Sequence, residues 1–237
     1  MIWKPHERGR GCARINCTHF AAMTEQAPTS SQVPAPTERK RARPGERREQ
    51  ILQALAAMLE QPGAERITTA ALASRLGVSE AALYRHFASK AQMFEALIDF
   101  IEQAVFTRMA QILESGSPEG VPPEEGARQA HRVVALVLQF GERNPGLVRV
   151  MVGDALVLEH ERLQARMNQF FDRIESSLRQ CLRPAAGAAG SATPSVDAQV
   201  AASVLTAFLQ GRLQRFARSG LRRLPTEHLE ASLALML

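Results

Sequence analysis

A chain of 237 residues with 45% hydrophobic content can bury one sizeable core with a small appendage, and no apolar run approaches the roughly 18 residues of a membrane span. Aromatics make up only 5% while leucine and alanine abound, which favours packed helices, and three scattered cysteines argue against a disulfide framework. The formal charge of +5 lies between Arg39 and Lys90, where ten Lys/Arg meet five Glu, so the remainder sums to zero.

Residues 1–44 read as a disordered or wrongly included extension. Ala21 to Thr37 is rich in Ala, Thr, Ser, Gln and Pro, and Pro28, Pro34 and Pro36 keep a helix from persisting. His6, Cys12, Cys17 and His19 match no zinc spacing, no sustained apolar segment makes a secretory signal, and Met23 is a second candidate start. From Glu46 to Glu60, Ile51, Leu55, Met58 and Leu59 recur at three- and four-residue intervals. They predict a helix that ends at Pro62-Gly63 and whose apolar face can cover a helix-turn-helix.

Two short helix patterns then meet at a tight corner. Thr68 is expected to cap the first, whose inward face is Leu72, Ala73 and Leu76; Gly77 ends it, and Ser79 caps the second, Glu80 to Phe87. Leu83 and Phe87 point inward, leaving Glu80, Ala81, Ala82, Tyr84, Arg85 and His86 outside or on the flanks. An alanine-rich first turn beside a hydroxyl and a guanidinium suits close approach to the DNA major groove. The predicted DNA-proximal set is Thr68, Thr69, Ser79, Glu80, Ala81, Ala82, Tyr84, Arg85, His86 and Lys90. Thr68 and Thr69 sit where a helix start meets phosphate, and Arg85 and Lys90 supply attraction. The alternative is an inert two-helix corner, against which the local basic excess weighs.

Ser89 and Gln92 form a capping-box pattern before a long helix carrying Met93, Phe94, Leu97, Ile98, Ile101, Val105, Met109, Ile112 and Leu113. A proline-rich loop is expected over 115–126, a helix over 127–140, a terminator at Gly141 to Gly146, and a further helical patch to Leu158. A long helix over 160–183 buries Leu163, Met167, Phe170, Phe171, Ile174, Leu178 and Leu182, leaving Arg162, Arg166, Arg173, Glu175 and Arg179 outside. Residues 184–194 read as an Ala/Gly/Ser loop. The next helix, 196–218, carries Val200, Val204, Phe208, Leu209, Leu213 and Phe216, and a last one starts near Thr226. These two long helices form either a four-helix dimer interface or monomer core. Cys181 is read as a small core or interface hydrophobe. The histidines at 6, 19, 86, 131, 160 and 228 have no ligand spacing, and there is no nucleophile elbow, phosphate loop or paired-cysteine motif. No catalytic residue, metal or cofactor is expected.

Residues 47–108, above all Arg66-Ile-Thr-Thr-Ala, the stretch Leu76 to Phe87 and Ser89-Lys90, resemble the N-terminal domain of TetR-type transcriptional regulators. Phe140-Gly-Glu-Arg-Asn-Pro-Gly-Leu147 and Arg162 to Glu175 resemble, within that family, its nucleoid occlusion proteins. The resemblance implies an all-α, TetR-like homodimer: a three-helix DNA reader at 45–90 and a helical dimerisation and partner-binding body at 91–237. It implies binding to palindromic double-stranded DNA in the cytoplasm, at the nucleoid. It implies FtsZ, the tubulin-like division protein, as partner through Phe100, Arg108, Leu136, Arg143 and Asn144, with division-ring assembly over the chromosome inhibited. Gln139 stands where the pattern has glycine and would reshape the partner groove; a plain helix-end role for Arg143 and Asn144 is the alternative. Two other readings stay open, a repressor released by a small apolar ligand and a helical dimer that only scaffolds proteins.

Overall fold

The computed structural model describes residues 45–61, 67–114 and 122–237, and every regular element among them is helical. The expected N-terminal extension, the Pro62-Gly63 stop and most of the loop before Pro122 lie outside the described residues. Helix α1, Glu46–Leu59, buries Ile51, Leu55, Ala56 and Leu59, with Met58 only half-buried. Helices α2, Thr69–Leu76, and α3, Glu80–Tyr84, come next. Helix α4, Lys90–Glu114, buries Met93, Phe94, Leu97, Ile98, Ile101, Val105 and Met109 as the periodicity predicts, while Ile112 and Leu113, expected on the same face, are only half-buried near its end.

In the second half several helices outrun their expected ends. Helix α5 spans Pro123–Arg143 rather than 127–140. Its first turn opens on a proline, whose missing N–H costs nothing at that position, and carries Glu124 and Glu125, which suit the positive end of the helix dipole. Gly141 does not stop it, because that glycine is buried inside the helix. Helix α6 is Pro145–Met151, and a single 3-10 turn covers Asp154–Leu156.

Helix α7 runs Glu161–Ala188, straight through Pro184 and into the segment read as loop. The carbonyl that Pro184 leaves unpaired, four residues back, belongs to Gln180, which is exposed and open to water. The alanine-rich residues beyond have high helix propensity. Helix α8, Pro194–Arg218, again opens on proline, and α9 is only Leu229–Ala234, later and shorter than the segment expected after Pro225.

The body centres on α7, packed against α8 and α5, with α4 lying on both α5 and α7. Not all the α7 cations expected outside are free: Arg162 and Arg166 pair with α4, Arg173 lies 4.0 Å over the Phe106 ring, and Arg179 donates to Gln199 on α8 at 3.2 Å. Cys181 is the core residue expected, and burial pushes its thiol up to about 11.

Helix α1 rests on α2 and on α6. At the α1–α6 crossing a Cβ on Gly146 would lie 2.2 Å from the backbone carbonyl oxygen of Ala56. Neither chain can yield there without moving backbone, so the crossing distance itself requires glycine. Gly146→Ala is expected to destabilise the fold by about 1–3 kcal/mol, the usual range for overpacking, read as a lowered urea midpoint at unchanged m-value.

Candidate nucleic-acid interface and the adjoining helix pair

The corner between α2 and α3 is built from three local devices. Thr68, extended at φ −103° and ψ 156°, accepts from the Ala71 N–H and caps α2. Gly77 takes the left-handed conformation at φ 63° and ψ 37°. The Val78 N–H then reaches back to the Ala73 carbonyl at 3.0 Å, closing the helix end in a Schellman arrangement. Ser79 accepts from the Ala82 N–H at 3.3 Å and opens α3.

Below this corner Leu83 and Phe87 are each 1% exposed, and they fix which side of α3 faces out. Ala81, Tyr84, Arg85 and His86 are exposed, Ala82 is half-buried, and Tyr84 keeps 46% of its surface. The helix is shorter than expected. It ends at Tyr84 because the Leu83 carbonyl accepts from both the His86 and Phe87 N–H groups, tightening the chain into a turn. Arg85 and His86 are therefore turn residues at the end of α3.

Two of the predicted contacts bind each other. The Thr69 hydroxyl donates to Glu80 Oε2 at 2.6 Å, tying the start of α2 to the start of α3. A residue that sequence reasoning missed also acts here. The Arg48 guanidinium on α1 donates to the His86 carbonyl at 3.2 Å and lies 4.2 Å over the Phe87 ring. Its spacing, three before Ile51 and seven before Leu55, was the available signal, since those intervals return to one helix face.

Lys90 departs from its expected role. Its ammonium pairs with Glu159 at 2.5 Å, and that carboxylate is only 9% exposed, so the charge is neutralised within the molecule. The capping box is also shifted by one residue: Gln92 N–H donates to Ser89 Oγ, while the Gln92 side chain accepts from the Ala88 N–H.

Beyond the corner, α4 and α5 lie side by side. The Phe100 and Phe140 rings meet with centroids 6.4 Å apart. Phe100 and Leu136 are half-buried, while Arg108, Gln139 and Arg143 are exposed. Among the described residues neither Arg108 nor Arg143 has an ion-pair partner. The Asn144 amide donates to the Phe140 carbonyl at 2.9 Å and closes α5.

On its other flank α4 is clamped to α7. Arg162 pairs with Glu95 at 2.7 Å, and Arg166 reaches both Asp99 and Glu102 at 2.6 Å. The hydrogen bond to Glu102 raises the Arg166 pKa further, against the effect of burial. Phe106 completes the seam against Phe170, 5.2 Å between centroids.

Comparison with known proteins places this architecture. Residues 51–97 match the model of bacterial regulatory proteins of the tetR family, and residues 127–237 match a tetracyclin repressor-like C-terminal domain of SlmA-like type. The nucleoid occlusion factor SlmA of Idiomarina loihiensis is 50% identical over 190 residues, covering 80% of this chain and 93% of the relative. The chain belongs to the TetR family, in its SlmA group. The SlmA of Cronobacter sakazakii is likewise 50% identical, over 78% of this chain and 90% of its own. The TetR family regulator PfmR from Thermus thermophilus shares the fold with a TM-score of 0.61 at 23% identity, covering 79% of this chain and 96% of its own.

The two TetR-family matches meet this structure at α1 to the first turns of α4, and at α5 to α9. Among the described residues no helix is long and apolar enough to cross a membrane. Because Ser79 organises the exposed end of the corner, Ser79→Ala is expected to cost about 1 kcal/mol of stability, measured by thermal unfolding. It should weaken binding to duplex DNA in the same preparation.

Proposed function

We propose that this protein is a DNA-bound nucleoid occlusion factor that engages FtsZ and restrains division-ring assembly over the chromosome. The observation that carries the reading is the pairing of two surfaces on one rigid support. Leu83 and Phe87 hold Ala81, Tyr84, Arg85 and His86 outward, and three residues after Phe87 the chain enters α4, which carries Phe100 and Arg108. Ala81 and Ala82 leave room for close approach to base edges, Tyr84 and Arg85 supply donors, and Thr68 lies at a helix start where phosphate is favoured. Thr69 and Glu80 position each other, and Lys90 acts through Glu159 more than through phosphate.

Partner binding is assigned to the α4–α5 pair. Phe100 and Leu136 offer half-buried apolar surface, and Arg108 and Arg143 offer cations without carboxylates among the described residues. An acidic segment of FtsZ carrying apolar side chains is the matching chemistry. Asn144 shapes the end of this surface by closing α5. Gln139 is exposed beside it, where its side chain would reshape a partner groove.

Self-association is assigned to α8 with α7. Val196, Val200 and Val204, four residues apart, are 59%, 58% and 50% exposed and form an apolar ridge on α8. Two such ridges related by a twofold axis would place two α3 helices for the halves of a palindrome in the nucleoid DNA of the cytoplasm.

The deciding measurement is FtsZ binding with and without a palindromic duplex from the organism's own chromosome, at fixed salt. DNA-enhanced FtsZ binding is the expected result; tight DNA binding with no FtsZ binding would overturn the division role. Arg85→Ala should weaken duplex binding by about 1–3 kcal/mol per contacted site and leave FtsZ binding intact. Arg108→Ala should do the reverse, costing at least about 1 kcal/mol of FtsZ affinity. Val204→Asp should shift the protein toward monomer in sedimentation velocity, since two buried carboxylates would face each other across the axis.

A further inference from the structure

A cleft of about 830 Å³, wide open to solvent, lies at the C-terminal end of α8, between the 219–228 segment and α9. Neither α3 nor the α4–α5 pair contributes to its wall. Four arginines line it, Arg212, Arg215, Arg222 and Arg223, and Glu227 is the one carboxylate in the lining. That carboxylate is already shared, 3.6 Å from Arg215 and 4.0 Å from His228.

Arg212 shows the imbalance most directly. Its guanidinium donates to Ser232 Oγ at 2.9 Å and lies 4.9 Å from the centre of the Phe208 ring, with no carboxylate paired to it among the described residues. Burial, and then repulsion from Arg215, lower its pKa, while the charge of Glu227 acts in the opposite direction. Arg222 and Arg223 are exposed and also have no ion-pair partner among the described residues.

The backbone works to keep them together. Leu221 at φ 63° and His228 at φ 54° are the two non-glycine residues with positive φ among the described residues, and they bracket the segment that carries Arg222 and Arg223. Ser219 Oγ accepts from the N–H groups of both arginines, at 3.1 and 2.9 Å, and holds the turn. Strained backbone of this kind persists where the surroundings fix it, and it concentrates at binding sites.

We infer that this cavity is a binding site for a small phosphorylated anion carrying at least two phosphate groups. The planar guanidinium fork matches phosphate oxygens in bidentate fashion. The four arginines and Glu227 leave a surplus of three positive charges, more than the roughly −1.5 to −2 of a single phosphate group, whereas linked phosphates match it within one small volume. The cavity is within the range of about 300–1,000 Å³ typical of small-molecule sites. It is distinct from the DNA-reading surface, and it gives this chain a ligand input of a chemistry unlike the apolar effector considered from the sequence.

The test uses the full-length protein without DNA, titrated calorimetrically with inorganic pyrophosphate and separately with orthophosphate at about 0.1 M salt. One saturable pyrophosphate site per chain is expected, with orthophosphate about tenfold weaker or more. The double substitution Arg222→Ala with Arg223→Ala should lower pyrophosphate affinity about tenfold or more while leaving the thermal midpoint and palindrome binding unchanged. Arg85→Ala locates the competing possibility, the DNA reader, and should leave pyrophosphate affinity unchanged. Absence of saturable binding would overturn the inference, as would equal affinity for the two anions. So would binding that survives the double substitution, or binding lost on Arg85→Ala.

Discussion

Arg166 reaches from α7 to two carboxylates on α4, Asp99 and Glu102, and α4 is the helix that runs from the end of the α2–α3 corner to the α4–α5 surface. A single exposed ion pair contributes only about 0–1 kcal/mol, so the effect is one of register more than of bulk stability. Arg162 with Glu95 lies on the same seam, and Phe106 packs on Phe170 under the Arg173 guanidinium. Together these fix how far along α7 the helix α4 can slide. On its opposite flank α4 meets α5 through Phe100 and Phe140, so the surface assigned to a partner is held by the same support.

The reader is attached to the body twice. One attachment is the short passage from Phe87 through the Ser89 cap into α4; the other is the α1–α6 crossing at Ala56 and Gly146. Arg48 joins them, since it extends from α1 to the His86 carbonyl at the end of α3. Helix α1 also packs on α4, so the contacts between the two parts lie at several points. Lys90 adds to this by pairing with Glu159 on the segment just before α7. A cation placed by sequence reasoning on the DNA side thus helps hold the reader to the body.

Helix α8 serves two faces with different chemistry. Leu205, Leu209, Leu213 and Phe216 are buried in the core, while Val196, Val200 and Val204 stand outside as a separate apolar ridge. Farther along the same helix Arg212 and Arg215 enter the arginine-lined cavity. Core packing, the surface assigned to self-association and the charged cavity therefore share one rigid rod. A ligand in the cavity would act on the element that also carries the valine ridge.

Much of the reader was legible in the linear chain because its determinants are local. Thr68, Gly77 and Ser79 act on residues within five positions of themselves, so caps and corner derive from residue type and spacing. The apolar faces of α1, α4 and α7 were legible for the same reason, as helical periodicity records which side is buried. Contacts between distant segments left no such record. The C-terminal ends of α5 and α7 were misplaced because Gly141 weakens and Pro184 breaks an isolated helix, whereas the packing of α5 and the exposure of Gln180 make them tolerable here. The pairing of Lys90 with Glu159, the clamp from Arg166 and the gathering of four arginines at one cavity were decided by tertiary structure. A charged side chain shows its sign in the sequence, but its partner is whichever group the fold brings within reach.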